Sequence, residues 1–305
     1  MGRGQRWPVG GEMTSCVPTS QRPRRGSRER RNGTSNGGSG EGTSNSESVR
    51  VIAFANQKGG VAKTTSVANV AAALGADGRR VLAVDVDPQF RLSVLLGSDP
   101  GGDSPSLLEV LTGDCELSDA IVTTNVPGVD LVPSRRELSG AELSLVTQVR
   151  REEFLRRALD GQVDDYEVVL LDTPPNLGLL TINALCAGPT TEVVVPISMV
   201  DAGSVQGAVE LKGTVATLTA NRIPVRIVAA LRALVDRRRL MYRAICDALE
   251  RLELPQAETE IPLRADFQNA TGPLVVSAPD SQGAIAYRQF AAELAGERSG
   301  LRLVA

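Results

Sequence analysis

The chain is predicted to fold as a doubly wound α/β domain, a mainly parallel sheet with helices on both faces. Three observations carry this. Continuous apolar runs at Val51–Ala55, Val81–Val84, Val168–Leu171 and Val193–Val195 read as strands buried on both faces. Helical patterns alternate with these runs along the chain. Two of the runs end in aspartate, at Asp85 and Asp172, as expected where an open parallel sheet presents ligand-binding groups beyond its carboxyl edge.

The elements follow in order. Residues 1–49 are rich in Gly, Ser, Arg and Asn, without a hydrophobic period, and are predicted to be a disordered basic tail. The first fifty residues hold nine Arg and four Glu, so they carry +5 and the remainder −8 of a net −3. This charge run reads either as a solvated tail or as an arm for nucleic acid or a partner. The folded domain spans 50–305. Val51–Ala55 is its first strand and Ser66–Leu74 lies in its first helix. Val81–Val84 and the run ending at Asp172 are further strands, and Glu137–Leu159 suits one long helix. Glu192–Pro196 is the next strand, and Val205–Leu218 its helix. Pro224–Ala230 and Glu258–Ile261 read as the last strands, a helix runs to about Leu252, and Ser281–Ala295 closes the domain.

Composition narrows the chemistry. At 305 residues and 42% hydrophobic content, the chain can bury a large core. There is no histidine, which excludes a His-based triad or an imidazole metal site but not an oxygen-ligated Mg²⁺. The four cysteines are scattered without a Cys-x-x-Cys pair and read as reduced thiols. Neither an apolar span of about 20 residues nor the apolar core of a secretory signal is present, so a cytoplasmic protein is expected.

The most informative segment is Lys58-Gly59-Gly60-Val61-Ala62-Lys63-Thr64-Thr65, set between a strand and a helix. That order makes a phosphate-binding loop, because backbone N–H groups and the positive end of the helix dipole converge on an anion. Lys63 is placed to reach the β- and γ-phosphates of a nucleotide, and the Thr64 hydroxyl to ligate Mg²⁺. An ordinary loop of this kind has no need of Lys58 at its entrance. Two acidic motifs follow, Asp85-Val86-Asp87-Pro88-Gln89 and Asp172-Thr173-Pro174-Pro175. Alternation puts Asp85 and Asp87 on one side of their strand, and Asp172 stands where a P-loop enzyme organises Mg²⁺.

Together with Asn176-Leu177-Gly178-Leu179-Leu180-Thr181-Ile182-Asn183-Ala184-Leu185 and Gly140-Ala141-Glu142-Leu143, these motifs resemble the ParA/Soj partition ATPases of the ParA/MinD class, P-loop NTPases of the deviant Walker A type. The resemblance is strongest from about Arg50 to Pro196. It implies an ATP- and Mg²⁺-dependent ATPase that forms a face-to-face homodimer on ATP. It implies that Lys58 crosses to the partner subunit's nucleotide, where a cation stabilises charge developing on the transferred group. Residues 58–65 would hold the nucleotide, Thr64, Asp85 and Asp172 would serve the metal, and Asp87 would orient the attacking water beside Lys63. It further implies chromosome or plasmid segregation on the nucleoid, with non-specific DNA and a ParB-like centromere-binding protein as partners.

Some positions depart from the family. Ala62 stands where many relatives have glycine; a helical backbone there is expected, in which a methyl costs nothing, whereas a positive φ would strain it. The basic stretch Arg237, Arg238, Arg239 and Arg243 reads as a DNA phosphate contact or as a solvated helix face. After Ile261-Pro262, an acid, Asp266, stands where a second arginine is common. Pro262 is either an adenine-pocket wall or a plain strand end. A MinD-like membrane-associated positioning ATPase is the alternative function. Such proteins use a C-terminal amphipathic helix, and Gly296–Ala305 is too short and too poor in aromatics for one, so no stable membrane insertion is expected. A relative of the nitrogenase iron protein would need two cluster-binding cysteines, and no partner for Cys186 is found.

Overall fold

A computed structural model describes residues 49–99, 102–263 and 271–296. The expected disordered tail, Asp266 and the end of the chain lie outside the described residues. Among the described residues, seven strands form one sheet in the order β3-β4-β2-β5-β1-β6-β7. They are β1 (Arg50–Phe54), β2 (Val81–Asp85), β3 (Val122–Thr123), β4 (Val129–Val132), β5 (Val168–Asp172), β6 (Thr191–Ser198) and β7 (Val225–Ala233). All pairings are parallel except β3 with β4. The helices are α1 (Lys63–Ala76), α2 (Arg91–Leu95), α3 (Leu107–Thr112), α4 (Leu117–Ala120), α5 (Leu138–Leu145), α6 (Phe154–Leu159), α7 (Leu179–Leu185), α8 (Gly203–Ala220), α9 (Leu240–Arg251), α10 (Leu274–Ser277) and α11 (Gln282–Leu294).

The strands alternate their side chains between two cores. Ile52, Phe54, Val168 and Leu170 pack with α1, α10 and α11 on one face. Val51, Ala53, Val169 and Leu171 pack with α3 and α5 to α9 on the other. Strand β1 lies inside the sheet, flanked by β5 and β6, so the loop after it opens within the carboxyl edge rather than at its border.

Two expectations need correction. The helix expected over 137–159 is broken into α5, a turn and a short 3₁₀ segment (Arg151–Glu153) before α6. Arg150 takes a left-handed φ of 56°, which an α-helix cannot continue through. The strand expected at Glu258–Ile261 is an irregular edge that pairs with β7 at Gln256 and just beyond it at Pro262. Its ladder is interrupted because the Thr259 N–H donates to Glu293 on α11 (2.9 Å) instead of to β7.

Candidate ATP and magnesium site

The loop from Lys58 to Ala62 joins β1 to α1. Gly60 (φ 74°) and Ala62 (φ 70°) both adopt the left-handed conformation. The helical backbone expected at Ala62 is therefore not found. Ala62 caps α1, and turning the chain sharply into the helix requires positive φ there. No side chain among the described residues caps α1, so its first-turn N–H groups face the loop's interior. Val61 is buried and anchors the loop in the core, while Lys58, Gly59 and Gly60 are more open to solvent. Thr64 and Thr65, half-buried, belong to the first turn of α1.

Lys63, the first residue of that helix, is 7% exposed. Its ammonium donates to the carbonyls of Asn56 (3.1 Å) and Lys58 (3.2 Å), curling back beneath the loop. Burial pushes its pKa down, and the carboxylates of Asp172 and Asp87 oppose that shift. A cation desolvated this way is poised for a phosphate, whose charge would restore what water no longer supplies.

Asp85 and Asp172 end neighbouring strands and are register partners. Asp85 is fully buried, which pushes its pKa up to about 7. Its Oδ2 accepts from the N–H (2.8 Å) and hydroxyl (2.7 Å) of Ser93 on α2, and its Oδ1 from the Asp87 N–H (3.2 Å). Asp85 thus holds Asp87 and α2 in place. Asp87 lies just past the end of β2 and is itself braced, its carboxylate accepting from the Gln89 N–H (2.9 Å).

Asp172 differs. Burial and the nearby Asp85 raise its pKa well above the ordinary carboxylate range. Neither of its oxygens has a hydrogen bond of good geometry among the described residues, although the Thr64 hydroxyl and Lys63 both act to favour its charged form. A buried carboxylate left in this state fits a hard cation bound beside it. Among the described residues no group of three or more Asp, Glu, Cys or His could hold a metal alone. Mg²⁺ usually relies on one or two protein ligands, waters and substrate phosphates. When bound, Mg²⁺ would neutralise phosphate charge between Thr64 and the Asp172 side of the site.

The structure therefore brings Lys63, Thr64, Asp85, Asp87 and Asp172 together. Lys58 extends sideways, its ammonium 3.4 Å from the Asp201 carboxylate beyond the end of β6. Pro262 pairs with Val235 just past β7 and lines an open cleft of about 890 Å³ against α11, whose walls include none of the phosphate-loop residues. The basic stretch is partly tied down. Arg237 grips Glu260 through two nitrogens (2.9 and 2.8 Å), while Arg238 and Arg239 share Asp236. Arg243 is exposed on α9.

Asn56, Asp201 and Ser93 also belong to the site, and no motif in the sequence marks them. The carboxyl-edge rule that found Asp85 and Asp172 applies equally to Asp201, which follows β6 by three residues.

Comparisons with known proteins agree with this geometry. A family model described as an AAA domain matches residues 49–226. The sporulation initiation inhibitor protein Soj of Bacillus subtilis is 33% identical over 251 residues, 81% of this chain and 98% of that protein. A cobyrinic acid a,c-diamide synthase from Mycobacterium smegmatis, solved with ADP and magnesium, superposes with a TM-score of 0.72 at 38% identity, covering 85% of this chain and 100% of that one. The septum site-determining protein MinD from Pyrococcus horikoshii, solved with Mg-ADP, gives 0.66 at 26% identity, over 81% and 96% of the two chains. The chain belongs to the ParA/MinD family of P-loop ATPases with a deviant Walker A motif.

Proposed function

We propose that this protein hydrolyses ATP with Mg²⁺, dimerises when ATP is bound, and binds duplex DNA without sequence preference. In this reading it moves a chromosome or plasmid on the nucleoid, together with a ParB-like centromere-binding partner. The observation that carries the reading is the pair of lysines on one loop. Lys63 is buried and fixed by two carbonyls. Lys58 is exposed, and its ammonium meets one exposed carboxylate, that of Asp201. Such a pair is screened by water and easily exchanged. Lys58 is thus able to leave its own subunit for a partner's phosphates, whereas Lys63 serves its own. Asp87, braced near Lys63, would position a water for attack on the terminal phosphate.

No helix among the described residues is long and apolar enough to cross a membrane. The name of the Mycobacterium smegmatis neighbour suggests a second reading, an amide-forming synthase that uses ATP. Turnover separates the two, since a synthase requires an acceptor carboxylate and an ATPase does not. The test is ATP hydrolysis by purified protein with and without duplex DNA, alongside sedimentation of Lys58→Ala and Asp87→Ala. Lys58→Ala should bind ATP as a monomer, and Asp87→Ala should accumulate as an ATP-bound dimer without turnover. Wild-type turnover by both variants would defeat the assignment.

A further inference from the structure

The residue two places before Lys58 is more deeply engaged than a loop entrance requires. Asn56 is 1% exposed. Its side-chain Oδ1 accepts from the Lys58 N–H (3.0 Å). Its Nδ2 donates to the Pro196 carbonyl on β6 (2.8 Å) and to the Ser204 carbonyl at the start of α8 (3.1 Å). Every polar atom of the amide is therefore used, and three segments of the chain meet on it. The span from β6 to α8 also carries the groups around the Lys58 side chain. Asp201 pairs with its ammonium, and a Cβ added at Gly203 would stand 3.5 Å from its Cε.

The helix makes room for this amide. A Cβ added at Gly207 on α8 would stand 2.2 Å from Asn56 Oδ1 and 3.1 Å from the Lys58 backbone nitrogen. The first distance cannot be tolerated without displacing the amide, and the second requires a shift of only a few tenths of an ångström. Gly207 lies inside a helix, where glycine is less favourable than alanine. The space it leaves is filled by Asn56.

We propose that Asn56 is the positioning residue for Lys58 in ATP turnover, tying the lysine's backbone to β6 and α8 through a socket opened by Gly207. This rests on the ATPase reading above. Asn56 touches no reacting group; it acts through the place it gives Lys58. The Lys63 ammonium donates to the main-chain carbonyls of residues 56 and 58, so a shift of the Lys58 backbone still leaves it the carbonyl of residue 56. Loss of the amide should therefore reduce kcat far more than it raises KM.

The experiment compares Asn56→Ala, Asn56→Asp, Gly207→Ala and the double variant Asn56→Ala/Gly207→Ala, each checked for folding by thermal melting. Asn56→Ala and Gly207→Ala should each lower kcat at least tenfold with KM for ATP changed less than threefold. Asn56→Asp keeps the acceptor for the Lys58 N–H but loses both donors, and should fall between wild type and Asn56→Ala. The double variant should be no more than twofold slower than Asn56→Ala, because alanine at 56 vacates the space that alanine at 207 needs. Multiplicative losses in the double variant, or a wild-type kcat in Gly207→Ala, would overturn the proposal. If the wild-type protein shows no turnover, the ATPase reading fails on its own, and amide hydrogen exchange over residues 57–60 decides the positioning claim. Faster exchange there in both single variants sustains it, and unchanged exchange sinks it.

Discussion

Asp85 and Asp172 stand side by side at the ends of two parallel strands, yet only Asp85 has its oxygens satisfied by protein donors among the described residues. One is a brace, and the other is a buried carboxylate without a protein donor of good geometry. Asp172 in nucleotide-free protein is a buried carboxylate that costs stability.

Asp172→Asn should therefore melt at a higher temperature than wild type without nucleotide. It should also lose most of the further rise that Mg-ATP gives wild type, since ligand binding stabilises the fold by mass action. Thermal melts with ATP, with and without Mg²⁺, check both parts. A variant that melts lower than wild type and keeps the full Mg²⁺ effect would make Asp172 a structural strand end.

Ala62→Gly should stabilise the protein. A left-handed residue with a Cβ costs about 1–2 kcal/mol, and glycine returns part of that through the unfolded chain's greater freedom, about 0.4–1 kcal/mol. The net gain expected is about 0.5–1 kcal/mol, which for a domain of this size is a rise in Tm of about 1–4 °C. Affinity for Mg-ATP should be unchanged or higher. A lower Tm in Ala62→Gly would contradict the left-handed cap.

The fold was largely legible because its signals are local. The apolar runs, the aspartates that end them and the Gly-Gly loop each record one constraint in consecutive residues. Ala62 was misread because a methyl says nothing of the φ its neighbours impose. The break at Arg150 was missed because arginine is an ordinary helix former and only its φ shows the stop. Asn56 and Gly207 were invisible because they meet across some 150 residues of chain, and no sequence period links them. Glu260 was missed for the same reason, although it decides how much of the basic stretch is available.

That stretch is held by two acids, Glu260 and Asp236. Arg237 is bound to Glu260, which also accepts from the Tyr242 hydroxyl (2.7 Å) and pairs with Arg232 (3.3 Å). Arg237→Ala should cost up to about 1 kcal/mol of stability, the range for a well-formed pair near the surface, and change DNA affinity little. Replacing Arg238, Arg239 and Arg243 together by Ala should leave the Tm near wild type and weaken ATP-dependent DNA binding. The slope of log affinity against log salt should fall by about 0.9 for each DNA phosphate that the variant no longer neutralises. Fluorescence anisotropy with labelled duplex DNA across a salt series checks this. An unchanged slope in the triple variant would show that these arginines are a solvated face.

If the protein is an ATPase of this kind, this loop binds the phosphates of Mg-ATP through Lys63. Titration calorimetry of Mg-ATP into wild type and Lys63→Ala tests it most directly. Wild type should show one site per chain with heat that depends on Mg²⁺, and Lys63→Ala should show no measurable binding at the same concentrations. Equal affinity in the two proteins would contradict the account.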